Sequence, residues 1–292
     1  MFGRIMAALC GFWLLPSWAA GADGSKARPT ALYFESGSRK IRADRYAPVG
    51  TPSHRVVIVL YGAGGMVFDG PSMKRVARAL ADAGDTVYLL HYYYRTGTTV
   101  ALDSTMRAHF GEWLATLRDG ITWVHGREEK RPIGIYGYSL GGFLAIAAAS
   151  NNALVGAVVE QAGGIWGSDE KRVGKMPPVL MVHGLADKRV PFEKFAKPLL
   201  HVLRKRGGHV ETEFVPGEGH VFDEAAMARV RPRAAKFFAR LRPAVAGLRR
   251  GRPAQQNEWP ANGREWTPMK RKKQGFPKVL RQAGALRLER SI

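Results

Sequence analysis

The 292-residue chain has one cysteine, few acidic residues and no long apolar run. Cys10 alone cannot form a disulfide within the chain, so the fold is not stapled. There are 24 Asp+Glu against 45 Lys+Arg, a formal net charge of +21, which makes an acidic partner the one to consider. No apolar run reaches the ~18 residues that a bilayer-spanning helix needs. The 34 glycines keep no three-residue period, which excludes a collagen-like repeat, and no longer internal repeat is visible. What is present is 46% apolar content, too much for a wholly disordered chain. The length suits one domain of about 220 residues with short appendages, or two small domains. A domain of that size buries roughly 70% of its unfolded surface and needs no metal to hold its core.

The first 22 residues read as a secretory signal peptide. Arg4 is a short positive region, Ile5 to Leu15 an apolar stretch ended by Pro16, and Ala20-Gly21-Ala22 a small-x-small cleavage site. Cleavage after Ala22 removes Cys10 and sends the chain to the periplasm or the exterior, with no transmembrane segment in the mature protein. Residues 249–292 differ in composition: they hold 12 Lys+Arg against 3 Asp+Glu and the run Lys270-Arg271-Lys272-Lys273. They are expected to be a basic, mostly disordered tail, either merely solvated or a weak binder of polyanions.

Residues 29–246 alternate strand and helix. Ala31 to Phe34 and Lys40 to Tyr46 suit a hairpin around Gly37-Ser38. Short apolar runs at 55–60 and 86–91 suit buried strands, and 132–136, 154–160, 178–182 and 209–215 read as strands. Helical spacing falls at 73–83, 104–124, 140–149, 192–206 and 223–240, with Ser104 a candidate cap for the second of these. This alternation predicts an α/β fold: a mainly parallel twisted sheet with helices on both faces. Chemistry in such sheets gathers at the carboxyl ends of the strands.

Gly137-Tyr138-Ser139-Leu140-Gly141-Gly142 fills the pattern G-x-S-x-G between a predicted strand and an Ala-rich helix. A turn that tight strains the serine backbone and excludes flanking side chains, and it lifts the hydroxyl above the sheet. Ser139 is therefore the candidate nucleophile. It needs a base, and eight histidines compete. His220 alone lies in a glycine-rich loop after the last predicted strand. The base needs an acid to fix its tautomer. Asp187 follows the strand at 178–182, and Glu160, ending the preceding strand, is the alternative. The chain order Ser139, Asp187, His220 is the one this strand arrangement requires. A developing oxyanion needs backbone donors. Leu140 offers one, and the loop Tyr61-Gly62-Ala63-Gly64-Gly65 the second, with Ala63 preferred to Gly64. Met66, Phe68, Tyr92, Tyr93 and Trp166 lie on loops at the same edge and are candidates for an apolar substrate pocket or for core. Arg95 is a candidate for a substrate carboxylate or a surface ion pair.

These residues together resemble the α/β-hydrolase fold and, within it, the dienelactone hydrolase family, over about Ala31 to Leu241. The resemblance rests on Leu60 to Gly65, on Tyr94-Arg95-Thr96-Gly97, on Gly137 to Gly142 and on the Asp187 and His220 loops. It implies an acyl-enzyme hydrolase acting on a small-molecule ester or lactone. There are two departures: the namesake enzymes use a cysteine nucleophile where this chain has Ser139, and many relatives have His where this chain has Tyr61. The first favours ordinary ester hydrolysis over dienelactone. No metal-ligand cluster or nucleotide-binding glycine loop stands in the sequence, so no cofactor is expected. Two other readings remain open: a serine peptidase of the prolyl-oligopeptidase type, and a non-catalytic cationic binding protein on a hydrolase scaffold.

Overall fold

The computed structural model describes residues 27–241; the expected signal peptide and basic tail lie outside the described residues. β1 (Pro29–Ser36) and β2 (Arg39–Tyr46) form an antiparallel hairpin, closed by a two-residue turn with Gly37 at φ +58°. β3 (Val56–Leu60), β4 (Thr86–Leu90), β5 (Ile133–Tyr138), β6 (Val155–Gln161), β7 (Val179–Gly184) and β8 (Val210–Val215) run parallel to one another. One eight-stranded sheet results, in the order β1-β2-β4-β3-β5-β6-β7-β8. The order reverses around β3, because the chain first builds outward to β4 and then returns to place β5 on the other side. Ligands collect at such a switch point.

The helices are α1 (Gly65–Phe68), α2 (Gly70–Asp82), α3 (Asp103–Arg127), α4 (Leu140–Ala149), α5 (Phe192–Lys205) and α6 (Glu224–Phe238). α2 and α6 pack together on one face. α3 packs on α4 on the other, and Phe143 of α4 meets Phe195 of α5 edge to face. β3, β4, β5 and β7 are buried at every position, which is why they read as unbroken apolar runs without alternation. Gly134 of β5 is small because Phe238 of α6 lies on it: a Cβ there would come within 2.7 Å of the ring.

Two expectations shift. α2 starts three residues earlier than its apolar spacing suggests, since Pro71 suits a first helical turn. α3 starts at Asp103 with Leu102 as cap residue and no side-chain cap, so Ser104 sits inside the first turn. Among the described residues no helix is long and apolar enough to cross a membrane.

Candidate active site

β5 ends at Tyr138 and α4 begins at Leu140, leaving one residue for the reversal. Ser139 takes φ 54°, ψ −119°, a conformation that costs a side-chain-bearing residue on the order of 1–3 kcal/mol. Its neighbours explain how the turn closes. A Cβ on Gly137 would lie 2.2 Å from the Gly141 carbonyl oxygen, and a Cβ on Gly141 would lie 2.6 Å from that of Tyr61. Glycine at both places lets backbone meet backbone.

The turn presents Ser139 Oγ to His220. The hydroxyl is 2.9 Å from Nε2, and Nδ1 of the same ring is 2.7 Å from Asp187 Oδ2. With Nδ1–H donating to the carboxylate, Nε2 is left to accept from the hydroxyl. The other Asp187 oxygen accepts the amides of Arg189 and Val190, each at 2.8 Å. Those donors fix the carboxylate, whose side chain is fully enclosed. His183 stands behind it, 3.6 Å from Asp187 Oδ2, and donates from Nε2 to the Val190 carbonyl at 2.9 Å. Burial pushes the His183 pKa down. The loops after β7 and β8 are locked together: the amide of Ala186 donates to the Glu218 carbonyl at 2.9 Å.

Glu160, the alternative acid, does not reach His220's carboxylate position. It is fully buried under the serine turn, and its Oε1 accepts the Gly163 amide. Burial pushes its carboxyl up to about 8.

Ala63 and Leu140 both line the cleft beside Ser139. Leu140 opens α4, where the first amides have no partner within the helix. The loop carrying Ala63 comes very close: a Cβ on Gly62 would lie 2.9 Å from Ser139 Cβ. Gly64 caps α1, one step further along the loop. Asp69 sits beneath this loop, and burial pushes its carboxyl up to about 6.

The cleft and its solvent-open mouth together hold about 320 Å³ of space not filled by atoms. Of the five pocket candidates, Trp166 lines it. Tyr92 and Tyr93 do not; they are at most 2% exposed and belong to the core. They build a platform under the loop that carries Ala63. Tyr61 stacks on Tyr92 with centroids 4.4 Å apart, the Tyr92 hydroxyl donates to the Tyr61 carbonyl, and the Tyr93 hydroxyl donates to that of Ala63 at 3.4 Å. Tyr61 completes this platform, its hydroxyl accepting the Tyr93 amide at 3.0 Å. Met66 is half-buried with its methyl against Gly70, away from the lining, and Phe68 is 52% exposed on the outer side of α1. Arg95 is a brace: it donates to Ser36 at 2.8 Å and lies 3.7 Å from Asp119, tying the hairpin to α3.

Sequence reasoning missed Met106, Phe143, Arg189 and Val190, which share the lining. Met106 and Phe143 read as core because they lie on buried helix faces. Arg189 and Val190 carried a usable signal: the amides that hold Asp187 must come from the residues just after it, which places their side chains at the site. Among the described residues, no group of three or more His, Cys, Asp or Glu converges as metal ligands.

Strand order, crossover helices and a serine turn at the switch point place the chain among the α/β-hydrolases. The family profile of dienelactone hydrolases matches residues 41–240, and the protein belongs to that family. The fold is similar to that of a dienelactone hydrolase from Anabaena variabilis, with TM-score 0.61 and 22% identity, covering 73% of this chain and 97% of that one. It is also similar to a dienelactone hydrolase-like promiscuous phosphotriesterase from metagenomic libraries (TM-score 0.62, 19% identity, 75% and 99% covered). An acylaminoacyl peptidase from Pyrococcus horikoshii shares the fold at TM-score 0.56 and 18% identity, covering 73% of this chain but 41% of the peptidase. None of the curated proteins compared matches the chain.

Proposed function

We propose that this hydrolase cleaves carboxylic esters or lactones through an acyl-enzyme on Ser139. The observation that carries the reading is the hydrogen-bonded line from Ser139 Oγ through His220 to Asp187, at 2.9 and 2.7 Å. Ser139 Oγ bonds to the substrate carbonyl carbon while its proton passes to His220 Nε2. The carbonyl electron pair moves onto oxygen, where the amides of Ala63 and Leu140 hold it. Asp187 steadies the imidazolium. Collapse restores the carbonyl and breaks the bond to the leaving oxygen, which takes the proton from His220. Water then loses a proton to the same nitrogen and attacks the acyl-enzyme. The second collapse returns the proton to Ser139 and frees the acid.

The test is hydrolysis of p-nitrophenyl acetate and butyrate beside an aminoacyl-nitroanilide. The reading expects turnover of the esters, loss of turnover in Ser139→Ala and little action on the anilide. Preference for the anilide favours a peptidase. Equal ester rates in wild type and Ser139→Ala overturn the enzyme and favour a binding protein.

Residues 1–22 are further proposed to direct export. In a Gram-negative host, protein recovered from the periplasm or medium should begin after Ala22. A full-length chain retained in the cytoplasm contradicts this.

A further inference from the structure

We infer that the cleft receives the acyl group and ends at Trp166, so that the preferred substrates are esters of short apolar acids. This inference rests on the hydrolase reading above.

His220 must stand next to the leaving oxygen, because it supplies that oxygen's proton. His220 approaches Ser139 from the loop after β8 and is not part of the cleft lining, whereas Ala63 and Leu140, the proposed oxyanion donors, are. The alcohol therefore departs on the His220 side, and the cleft on the other side of Ser139 takes the acyl chain. The alcohol side opens to solvent, with Val221 77% and Leu185 48% exposed on the adjoining loops. Little there limits the size of an alcohol.

The cleft is part open to solvent too, but its far wall is firmly packed. Trp166 lies on the Phe143 ring, centroids 4.4 Å apart and 22° from parallel, and meets Phe110 edge to face at 5.0 Å. Phe143 is backed in turn by Phe195 at 5.7 Å. Three helices thus hold the floor. The backbone around Trp166 is pinned as well: the amide of Ile165 donates to the Phe195 carbonyl at 3.1 Å, and the Trp166 carbonyl accepts from Asp169 at 2.9 Å. A floor packed this way does not recede for a longer chain. Met106 and Val190 make the walls apolar, each 4% exposed. Arg189 also borders the cleft, but its guanidinium is paired with Asp103 at 2.9 Å, so its charge is already balanced.

The experiment compares kcat/KM for p-nitrophenyl acetate, butyrate and octanoate, and for ethyl, butyl and octyl acetate. It is run on the full-length wild type, Trp166→Ala and Met106→Ala. Butyrate should exceed octanoate by about tenfold or more in wild type, since excess methylenes have no room. The alcohol series should vary less. Trp166→Ala should narrow the acyl ratio several-fold. Met106→Ala removes a flexible wall and provides the same readout if the tryptophan variant does not fold. Ser139-dependent hydrolysis with an unchanged ratio in the folded variants, or with alcohol length discriminated more than acyl length, overturns the inference and leaves the hydrolase reading intact. Absence of Ser139-dependent hydrolysis of every ester overturns both.

Discussion

Two imidazole–carboxylate pairs lie at opposite sides of the switch point, and they have different chemistry. In the seam between β2 and β4, His91 Nε2 is 3.0 Å from Asp44 Oδ2, and Arg42 donates to the other oxygen at 2.7 Å. On the loops after β7 and β8, His220 meets Asp187 at 2.7 Å. Both carboxylates are buried, at 2% and 0% side-chain exposure. What separates the pairs is what else they face. Asp44 also binds the Arg42 guanidinium, and the His91 ring packs against Tyr94, centroids 5.4 Å apart. His220 turns its other nitrogen to a hydroxyl held on a strained turn at the edge of a cleft. A buried His–Asp pair is therefore a structural tie by itself. It becomes a candidate proton relay when a nucleophile stands on the far side of the ring.

The contrast is broken most severely at the histidines. His220→Ala should lower kcat by about 10⁶-fold, the scale seen when a relay member is removed. His91→Ala should leave kcat/KM of the folded protein unchanged, and ester kinetics on both variants check this. Comparable losses in the two would erase the distinction. Next come the carboxylates. Asp187→Asn should cost about 10⁴-fold in kcat by favouring the wrong tautomer of His220. Asp44→Asn should instead cost stability, by about 3 kcal/mol, the low end for a buried pair because Arg42 is partly open to solvent. Urea denaturation of both variants reads this directly.

The Asp44 pair also has a pH signature. Burial pushes that carboxyl up, but hydrogen bonds from His91 and Arg42 outweigh it and hold the group below its ordinary 3.8. Its contribution is thus present above pH 3.8 and lost as pH falls through the lower folded value. The stability gap between wild type and Asp44→Asn should shrink in that acid window. Glu160 has the opposite sign. Its folded pKa, about 8, lies above its ordinary 4.5, so the fold holds that proton longer and Glu160 destabilises increasingly as pH rises between those values. Glu160→Gln keeps an acceptor for the Gly163 amide, and its melting temperature should pull ahead of wild type across that window. A gap independent of pH would contradict the assignment.

Much of this was legible in the residues themselves. Unbroken β-branched runs between helical spacings identify buried parallel strands, and G-x-S-x-G between a strand and a helix marks the turn of Ser139, because both depend on local sterics. Asp187 and His220 were readable from the order of loops at one sheet edge. The pocket was less so. Tyr92 and Tyr93 carry the same letters whether they face a substrate or stack beneath Tyr61, and only the packing of a 3-10 turn (Tyr92–Arg95) against the loop from Tyr61 to Gly65 decides between them. Met106 and Phe143 show the converse. They sit on buried helix faces, yet those faces border a cleft that forms only when α3, α4 and the loop after β6 converge.

The central claim, that His220 and Asp187 activate the Ser139 hydroxyl, is tested most directly by covalent labelling. Full-length protein is treated with a fluorophosphonate, its intact mass is recorded, and the adduct is mapped by peptide mass spectrometry. The account predicts a single adduct on the peptide containing Ser139, and its loss in His220→Ala. An adduct on another residue, or equal labelling of the wild type and His220→Ala, would contradict it.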